Sequence, residues 1–338
     1  MKKRLLALLT ILLLVFSTLY ACAPAKETKE TNGSTSTKVV LNEVAHSIFY
    51  APMYVAIEEG YFTAEGIDVD LVTGFGADKT MTAVLSGEAD IGFMGSEASI
   101  YTYNEGAKDY VVNFAQLTQR AGNFLVAREE MPDFKWEDLK GSYVLGGRKG
   151  GMPQMVFEYI LKENGINPET DLEINQSIDF GSTAAAFADS EADFTVEFEP
   201  HATSLEAEKK GYVVASLGKD SGYVPYTAFC AKQSFIKDNE KVIQGFTNAL
   251  QKGMDYVNTH TPEEIAKVIK PQFKETDLDT IVTIITRYYE QDTWKSDLVF
   301  EEESFELLQD ILDSAGELQK RAPYKDLVTT KYAKEAAK

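Results

Sequence analysis

The feature that most constrains this chain is an internal duplication, in which residues 142–200 repeat the order of elements in residues 39–98. Each copy reads as an apolar strand, a loop, a helix ending at a glycine, a second strand, a loop, a second helix and a third strand. A Glu-Ala-Asp phrase precedes the third strand in both copies, at residues 88–90 and 191–193. Strands that alternate with helices form mainly parallel sheets through right-handed crossovers. The duplication therefore predicts an α/β chain with two lobes, each a mainly parallel sheet flanked by helices.

The loops of both copies follow the carboxyl ends of strands, where open α/β sheets bind their ligands. Backbone N–H groups at helix starts donate hydrogen bonds to polar ligand groups, and nearby aromatic side chains can enclose a flat ring. We therefore predict that ligand binds between the lobes. From the first copy, the predicted ligand-binding residues are Phe49, Tyr50, Gly74, Phe75, Gly76, Gly95, Ser96 and Glu97. From the second copy, they are Gly150, Gly151, Met152, Phe180, Ser182, Phe198 and Glu199.

Other repeated residues are predicted to be structural. Gly66 and Gly165 each follow a helix and suit a left-handed cap, with the next isoleucine packing back on that helix. The Glu-Ala-Asp phrases are expected to end a helix and lead into a strand. We therefore assign no binding role to either feature.

The chain after the second copy is predicted to contain two more strands and then only helices. The strands are expected at residues 211–215 and 224–230. A helical tail without a third strand-rich unit must pack on a lobe that already exists, and the first lobe is the expected one. The tail helices are expected at residues 242–256, 262–268, 278–289 and 305–318.

The N-terminus has the pattern of a secretory leader. Three cations at positions 2–4 precede an apolar run at residues 5–19, and Ala21 supplies a small residue for cleavage. The apolar run is shorter than the roughly 20 residues of a membrane-spanning helix. The sequence therefore predicts a signal peptide at residues 1–21.

Cys22 directly follows that small residue, an arrangement that resembles the lipobox of bacterial lipoproteins. Tyr20 departs from the small or aliphatic residue that is usual there. The next residues are polar and cannot offset their ordering entropy by burial. We therefore expect residues 22–37 to be a lipidated cysteine followed by a flexible tether.

Charge and cysteine content exclude several kinds of partner and scaffold. The formal net charge is −20, and cleavage of the cationic leader would make it more negative. Nucleic acid and anionic membrane surfaces are poor partners for such a body. Cys230 is the one cysteine besides Cys22, so the folded part must hold together without an intramolecular disulfide.

The first copy also contains motifs of a known family. Residues 50–62 read Tyr-Ala-Pro-Met-Tyr-Val-Ala-Ile-Glu-Glu-Gly-Tyr-Phe, and residues 65–69 read Glu-Gly-Ile-Asp-Val. Together with residues 85–92 and 199–200, they closely resemble periplasmic binding proteins of the sulfonate, nitrate, taurine and thiamine-precursor type. The resemblance implies a two-lobed type II periplasmic-binding-protein fold with its ligand cleft between the lobes.

The resemblance also implies how the chain divides. The first lobe would comprise residues 38–119 plus 228–338, and the second residues 120–227, with hinges near residues 117–123 and 224–229. A ligand that contacts both lobes only when they are closed stabilises the closed form.

The function implied by this family is that of an extracytoplasmic solute-binding lipoprotein of an ABC importer. Such a protein delivers its ligand to a membrane permease and its ATPase. A lipid on Cys22 would hold it at the outer face of the cell membrane, and it is expected to act as a monomer. The resemblance implies no catalytic residue, cofactor or metal ion.

Two ligand classes stay open at this point. The aromatic residues of the predicted cleft favour a planar nitrogen heterocycle, such as a pyrimidine precursor of thiamine or a flavin. Glu97 or Glu199 would accept hydrogen bonds from an amino group on such a ring. The alternative is an alkanesulfonate, taurine or nitrate anion bound by Arg120 and Arg148, because guanidinium groups pair well with such oxygens.

Two other functions are weighed against import. Pyrimidine synthases resemble the same thiamine-precursor binders, but their cysteine-rich iron-site motif is missing from this sequence. His46, His201 and His260 lack metal-ligand spacing, and we expect His46 to have a surface role. No nucleophile, base and orienting group come from adjacent segments, so we expect no enzyme. A sensor that presents its closed form to a membrane receptor is not distinguished from an importer by the chain.

Overall fold

The computed structural model describes residues 36–179 and 181–338. The predicted signal peptide, the predicted lipidation site Cys22 and the predicted ligand-binding residue Phe180 lie outside the described residues. Within the described ranges, no helix is both long enough and apolar enough to cross a membrane.

Strands and helices alternate through most of the chain. The strands are β1 (Thr37–Glu43), β2 (Ile67–Thr73), β3 (Ile91–Met94), β4 (Val111–Thr118), β5 (Phe124–Ala127), β6 (Tyr143–Leu145), β7 (Glu173–Asn175), β8 (Phe194–Glu197), β9 (Tyr212–Ser216) and β10 (Thr227–Lys232). The helices before β10 are α1 (Ala51–Glu58), α2 (Tyr61–Ala64), α3 (Ala77–Ser86), α4 (Glu97–Asn104), α5 (Met152–Glu163), α6 (Thr183–Ala188), α7 (His201–Ala207) and α8 (Leu217–Asp220). Those after β10 are α9 (Gln233–Asp238), α10 (Glu240–Thr259), α11 (Pro262–Ile269), α12 (Leu278–Glu290), α13 (Glu302–Ser314), α14 (Tyr324–Leu327) and α15 (Lys331–Ala336). Two short 3-10 helices span Ile48–Tyr50 and Trp136–Leu139.

These strands form two five-stranded sheets in the described part of the chain. The first sheet has the order β2-β1-β3-β10-β4, and the second has the order β7-β6-β8-β5-β9. In each sheet one strand, β10 or β5, is antiparallel to both neighbours, and the other four strands run in the same direction. The predicted fold of two lobes built on mainly parallel sheets is therefore confirmed.

The duplicated Glu-Ala-Asp phrases occupy equivalent places in the two lobes. Asp90 accepts a hydrogen bond from the backbone N–H of Val40 at 2.8 Å, and Asp193 accepts one from Tyr143 at 2.8 Å. Each pair is 50 residues apart in the chain. In both lobes the aspartate thus fastens the start of the third strand to the first strand, which is a structural role.

The chain passes between the sheets twice. It leaves the first sheet after β4, enters the second at β5, and returns between β9 and β10. The two connections, residues 119–123 and 217–226, are called the crossing segments here. The antiparallel strand of each sheet is the strand that the chain forms directly after a crossing.

The observed elements differ from the predicted ones at three places. The strand expected at 224–230 begins at Thr227, because the segment before it contains Pro225, which lacks a backbone donor for a strand ladder. The last predicted helix ends at Ser314, and Gly316 after it has a φ of 73°, which favours glycine. The Gly-Lys-Asp-Ser-Gly sequence at residues 218–222 predicts a turn, whereas the structure has the short helix α8 over its first part.

The core of the first lobe joins the sheet to the helical tail. The Phe93 ring of β3 stacks on the Phe229 ring of β10 with centroids 4.1 Å apart, and Phe229 meets Phe246 of α10 at 5.5 Å. All three side chains are buried. The longest tail helix therefore packs directly on the first sheet.

Close packing between α10 and α1 depends on a glycine. A Cβ at Gly253 would lie 2.2 Å from the carbonyl oxygen of Pro52, whereas one at Gly245, on the same helix, would first meet the Glu65 side chain at 3.3 Å. We expect Gly253→Ala to lower the free energy of unfolding by about 1–3 kcal/mol, because backbone overlap forces the helices apart. Gly245→Ala is the matched control. Its gain in helix propensity of about 1 kcal/mol should offset the close contact between the new Cβ and the Glu65 side chain, so the free energy of unfolding should change little. Urea unfolding checks this, and equal stability of the two variants would contradict it.

Candidate ligand-binding site

A cavity of about 110 Å³ lies between the two sheets. Its walls come from the segments after β1, β2 and β3 in the first lobe and after β6, β7 and β8 in the second. Both crossing segments also contribute, through Asn123 and Tyr226. The ligand cleft predicted between the lobes is therefore present, at the carboxyl ends of the parallel strands.

The lobes touch each other around this cavity. The Ser47 hydroxyl donates to the carbonyl oxygen of Glu199 at 2.8 Å. At the rim, Arg148 of the second lobe pairs with Asp78 of the first, with Nη2 and Oδ1 3.0 Å apart. These contacts give the structure a closed cleft.

Many of the residues predicted to bind ligand line the cavity. They come from five of the six contributing loops. They are Tyr50, Gly76, Gly95, Glu97, Arg148, Gly151, Met152, Phe198 and Glu199.

Two predicted residues, Arg120 and Ser96, instead contact the crossing segments. The Arg120 guanidinium donates to the carbonyl oxygen of Gly218 at 3.0 Å and lies 4.2 Å from the ring centroid of Tyr223. The Ser96 hydroxyl is buried and donates to the carbonyl oxygen of Pro225. Neither side chain lines the cavity, so both are placed to hold the crossing segments.

Other predicted residues also lie outside the lining. Phe49 is buried behind it, and its carbonyl oxygen accepts a hydrogen bond from the Trp294 indole at 2.9 Å. Phe75 lies at a loop tip with 60% of its surface exposed. The remaining predicted residues that do not line the cavity are Gly74, Gly150 and Ser182.

Glu97 is the first residue of α4 and brings a carboxyl group to the cavity from the first lobe. Only 2% of its surface is exposed. Burial raises the pKa of this carboxyl to about 8, although its own backbone N–H, Arg148 and the backbone N–H of Met152 act in the opposite direction.

Glu197, at the end of β8, is a second buried carboxyl on the lining that the sequence analysis missed. It accepts hydrogen bonds from the hydroxyls of Thr183 at 2.9 Å and Thr195 at 2.7 Å. Burial raises its pKa to about 7, and the two hydroxyls limit the rise. A signal for it existed, since it stands two residues before Glu199 in a short strand.

Glu199 is fully buried, and its carboxyl is held by a cation that the sequence analysis did not find. Arg287 of α12 donates to Oε1 of Glu199 at 2.8 Å and to the Thr203 hydroxyl at 2.9 Å. The backbone N–H of Thr203 donates to the other oxygen at 2.9 Å. The same guanidinium also pairs with Glu206. Arg287 is therefore a further arginine near the cleft, besides Arg148, that the sequence did not indicate.

Two histidines, His46 and His201, line the cavity, and His46 is also exposed to solvent. The ring of His46 contacts Glu43 at 2.9 Å and the carbonyl oxygen of Gln272 at 2.9 Å. Burial lowers the pKa of His46, but the bonds to Glu43 and Gln272 outweigh it and raise the pKa overall. Burial lowers the pKa of His201, which favours a neutral ring there. Within the described ranges, no group of three or more His, Cys, Asp or Glu side chains is placed to hold a metal ion.

Aromatic side chains form much of the apolar wall. Tyr50 and Phe198 were predicted, and Tyr226 was missed although it lies in a segment expected to be a hinge. The Phe198 and Tyr226 rings are 6.1 Å apart between centroids, and Phe49 packs behind both at 5.9 and 5.8 Å. The Tyr226 hydroxyl donates to Asn123, which connects the two crossing segments. Aromatic side chains of this kind can contact a flat ligand ring.

Two α/β lobes that are joined by two crossings and closed over a cavity define the type II periplasmic binding protein class. Members of this class close their lobes on a small solute. Comparison with known proteins agrees with this assignment and adds the family.

Residues 48–265 match the family model described as NMT1/THI5 like. The chain is 50% identical over 301 residues to YtlA of Bacillus subtilis (strain 168), whose assignment as a binding protein is provisional, and the match covers 89% of this chain and 90% of YtlA. The chain therefore belongs to the NMT1/THI5-like family, as the sequence motifs indicated.

Solved structures share the fold at low sequence identity. The alkanesulfonate-binding protein SsuA from Xanthomonas axonopodis pv. citri, bound to MOPS, has a TM-score of 0.71 at 14% identity over 87% of this chain and 98% of that chain. The periplasmic nitrate-binding protein NrtA from Synechocystis PCC 6803 has a TM-score of 0.70 at 15% identity over 89% of this chain and 88% of that chain.

Proposed function

We propose that the protein is the solute-binding component of an ABC importer and that it captures a small single-ring solute between its lobes. The observation that carries this proposal is the closed cavity with walls formed by Tyr50, Phe198 and Tyr226. A solute in this cavity contacts both lobes only when they are closed, so its binding stabilises the closed form. The closed form would then be recognised by the membrane permease and its ATPase.

The size of the cavity supports a single ring. An engineered apolar cavity of about 150 Å³ holds one benzene molecule, and this cavity measures about 110 Å³. A pyrimidine is close to that size, whereas a flavin has three fused rings. A thiamine-type pyrimidine precursor is therefore the preferred ligand within the heterocycle class.

A small oxyanion is the second candidate. Its support is Arg148, which lines the cavity, together with the fold shared with alkanesulfonate- and nitrate-binding proteins. Against it stand the buried carboxyls of Glu97, Glu197 and Glu199 on the same lining. A bound anion would oppose ionisation of Glu97 and Glu197, whereas the N–H donors of a heterocycle can bond to a carboxyl in either protonation state, so the heterocycle is preferred.

The remaining parts of the proposal concern the molecule as a whole. The first lobe comprises residues 38–119 plus 228–338 and the second residues 120–227, and their relative movement occurs at the crossing segments. A lipid on Cys22 holds the protein at the extracytoplasmic face of the membrane, where it acts as a monomer. The cavity binds and releases its solute without a chemical step.

Thermal unfolding of the purified protein with separate candidate ligands tests the ligand class. The panel contains aminopyrimidines, riboflavin, taurine, an alkanesulfonate and nitrate. A ligand present at 100 times its dissociation constant should stabilise the protein by about 2.7 kcal/mol and raise the melting temperature. We expect this with an aminopyrimidine, and a shift with the sulfonate or nitrate alone would favour the oxyanion.

Uptake of the stabilising ligand by a strain that lacks this protein tests the role in import. We expect uptake to fall without the protein and to return when it is restored. Normal uptake in its absence would contradict the importer and favour a sensor, and turnover of a panel member would contradict a purely binding role.

A further inference from the structure

Three buried carboxyl groups border the cavity, and two of them already have partners. Glu199 is paired with Arg287, and Glu197 accepts bonds from two threonine hydroxyls. For Glu97 the situation differs, since Oε2 has no hydrogen-bond partner among residues 36–179 and 181–338. A buried acceptor without a partner costs about 1–3 kcal/mol, and more when it is charged. A ligand that enters the cavity and donates a hydrogen bond to Oε2 is expected to remove this cost.

The position of Glu97 suits contact with a ligand in the middle of the cleft. It lies on the lining of the first lobe, and the backbone N–H of Met152 across the cleft is near enough to lower the pKa of its carboxyl. Burial raises the pKa of Tyr226 well above its usual value, and Tyr50 and Glu97 raise it further. The carboxyl therefore lies beside the aromatic wall that would hold a flat ring.

The cations near the cavity are already engaged. Arg148 pairs with Asp78 and is 42% exposed at the rim, and Arg287 is shared between Glu199 and Glu206. An anionic ligand beside Glu97 would have to draw one of these guanidinium groups away from its carboxylates. A ligand with N–H donors needs no such rearrangement.

We propose that Glu97 determines specificity for a flat nitrogen heterocycle that carries an amino or amidine group, and that it rejects anions of the same size. The N–H donors of such a ligand would bond to Oε2 of Glu97 while the ring lies against the aromatic wall. The raised pKa of Glu97 agrees with this role, because perturbed carboxyls in clefts mark candidate binding groups. This inference rests on the proposed binding function and adds to it the chemistry of the ligand.

Three probes of one ring size test the inference. They are 4-amino-2-methylpyrimidine, 2-methylpyrimidine and 2-methylpyrimidine-4-carboxylate, titrated calorimetrically into the purified full-length protein at pH 8. We expect the amino compound to bind about 10- to 100-fold more tightly than the unsubstituted ring, because it gains hydrogen bonds to a charged acceptor. We expect the carboxylate to bind more weakly than both.

Variants at Glu97 separate its role from that of the cavity as a whole. Glu97→Gln should weaken binding of the amino compound by about 10- to 100-fold and reduce the penalty on the carboxylate. Glu97→Asp, which keeps the charge, should retain part of the preference. Glu105→Gln, an exposed position at the other end of α4, is the control and should bind like the wild type.

Each outcome distinguishes the inference from the proposed function. Tightest binding of the carboxylate, or an amino preference that survives in Glu97→Gln, would overturn the inference and leave a binding protein of another specificity. Binding of none of the three probes would also overturn it, and the uptake measurement would then decide the importer role separately. If Glu97→Gln fails to fold, the relative affinities of the three probes for the wild type and for Glu97→Asp decide whether Glu97 sets the specificity.

Discussion

Replacing Arg287 with methionine is expected to lower the free energy of unfolding by about 3–5 kcal/mol. The guanidinium pairs with Glu199, whose side chain is fully buried, and with Glu206. Removing one partner of a buried ion pair leaves the other charge uncompensated, and this is much more costly than losing an exposed pair. Thr203 still donates two hydrogen bonds to Glu199, so the effect should lie at the lower end of the range.

Arg321 provides a matched control for this prediction. It also contacts two carboxylates, Glu306 and Asp310, but its side chain is 46% exposed and theirs are 49% and 57% exposed. Exposed pairs contribute about 0–1 kcal/mol, so Arg321→Met should have a small effect. Urea unfolding of both variants at pH 7 gives the comparison.

A double variant tests whether the stability lost in Arg287→Met comes from the unpaired charge of Glu199. Adding Glu199→Gln removes the uncompensated charge, so Arg287→Met with Glu199→Gln should be more stable than Arg287→Met alone. An Arg287→Met protein as stable as Arg321→Met would contradict the prediction.

The fold was predictable because its pattern is local and occurs twice. The apolar strands, the glycines after helices and the Glu-Ala-Asp phrases each act over a few residues, and both copies agree. Asp90 and Asp193 illustrate this, since each sits just before a strand and bonds the neighbouring strand. Loops at the carboxyl ends of strands could likewise be named from the order of elements alone.

The charge environment of the site could not be predicted in the same way. Arg287 is 88 residues from Glu199 in the chain and lies in a tail helix expected only to pack on the first lobe. Nothing local indicates that its side chain reaches the second lobe. Phe75 shows the opposite error, because an aromatic residue in a repeated glycine loop was expected to face the cleft and is largely exposed.

The burial of the carboxyl groups on the cavity lining also could not be predicted from the sequence. Glu97 begins a helix and Glu199 precedes a proline, and both positions usually favour exposed charges. Both are buried in the folded molecule, where their surroundings include residues that are distant in the chain. The proposed ligand preference therefore depends on side-chain environments that the sequence alone does not indicate.

Glu97→Gln is expected to stabilise the ligand-free protein at neutral pH while it weakens ligand binding. The pKa of this carboxyl is about 8 in the closed structure, against 4.5 for a free side chain. A carboxyl with a raised pKa favours folding fully below pH 4.5, and this contribution is lost as the pH rises to 8, because the unfolded chain ionises more readily. At about 1.36 kcal/mol per pH unit, the neutral glutamine should gain about 3 kcal/mol at pH 7.

The same linkage predicts how the gain changes with pH. The difference between Glu97→Gln and the wild type should be near zero at pH 4.5 and rise to about 4 kcal/mol at pH 8. The groups that face Glu97 are Arg148, the Met152 N–H and the hydroxyls of Tyr50, Tyr101 and Tyr226. Burial raises the pKa of each of these tyrosines above its usual value, so the difference isolates Glu97 even though the histidines on the lining titrate in both proteins.

Opening of the lobes limits this gain and provides a second readout. Water reaches Glu97 when the cleft opens, so the ionised carboxylate should favour an open form that glutamine does not. Small-angle scattering without ligand should therefore find Glu97→Gln more compact than the wild type at pH 8 and equally compact at pH 4.5. Glu105→Gln, an exposed position at the other end of α4, is the control, and its compactness should match that of the wild type at both pH values. If the Glu97→Gln protein is less stable than the wild type at every pH, the carboxyl stabilises the fold, and its proposed role as an unpaired ligand-binding group is contradicted.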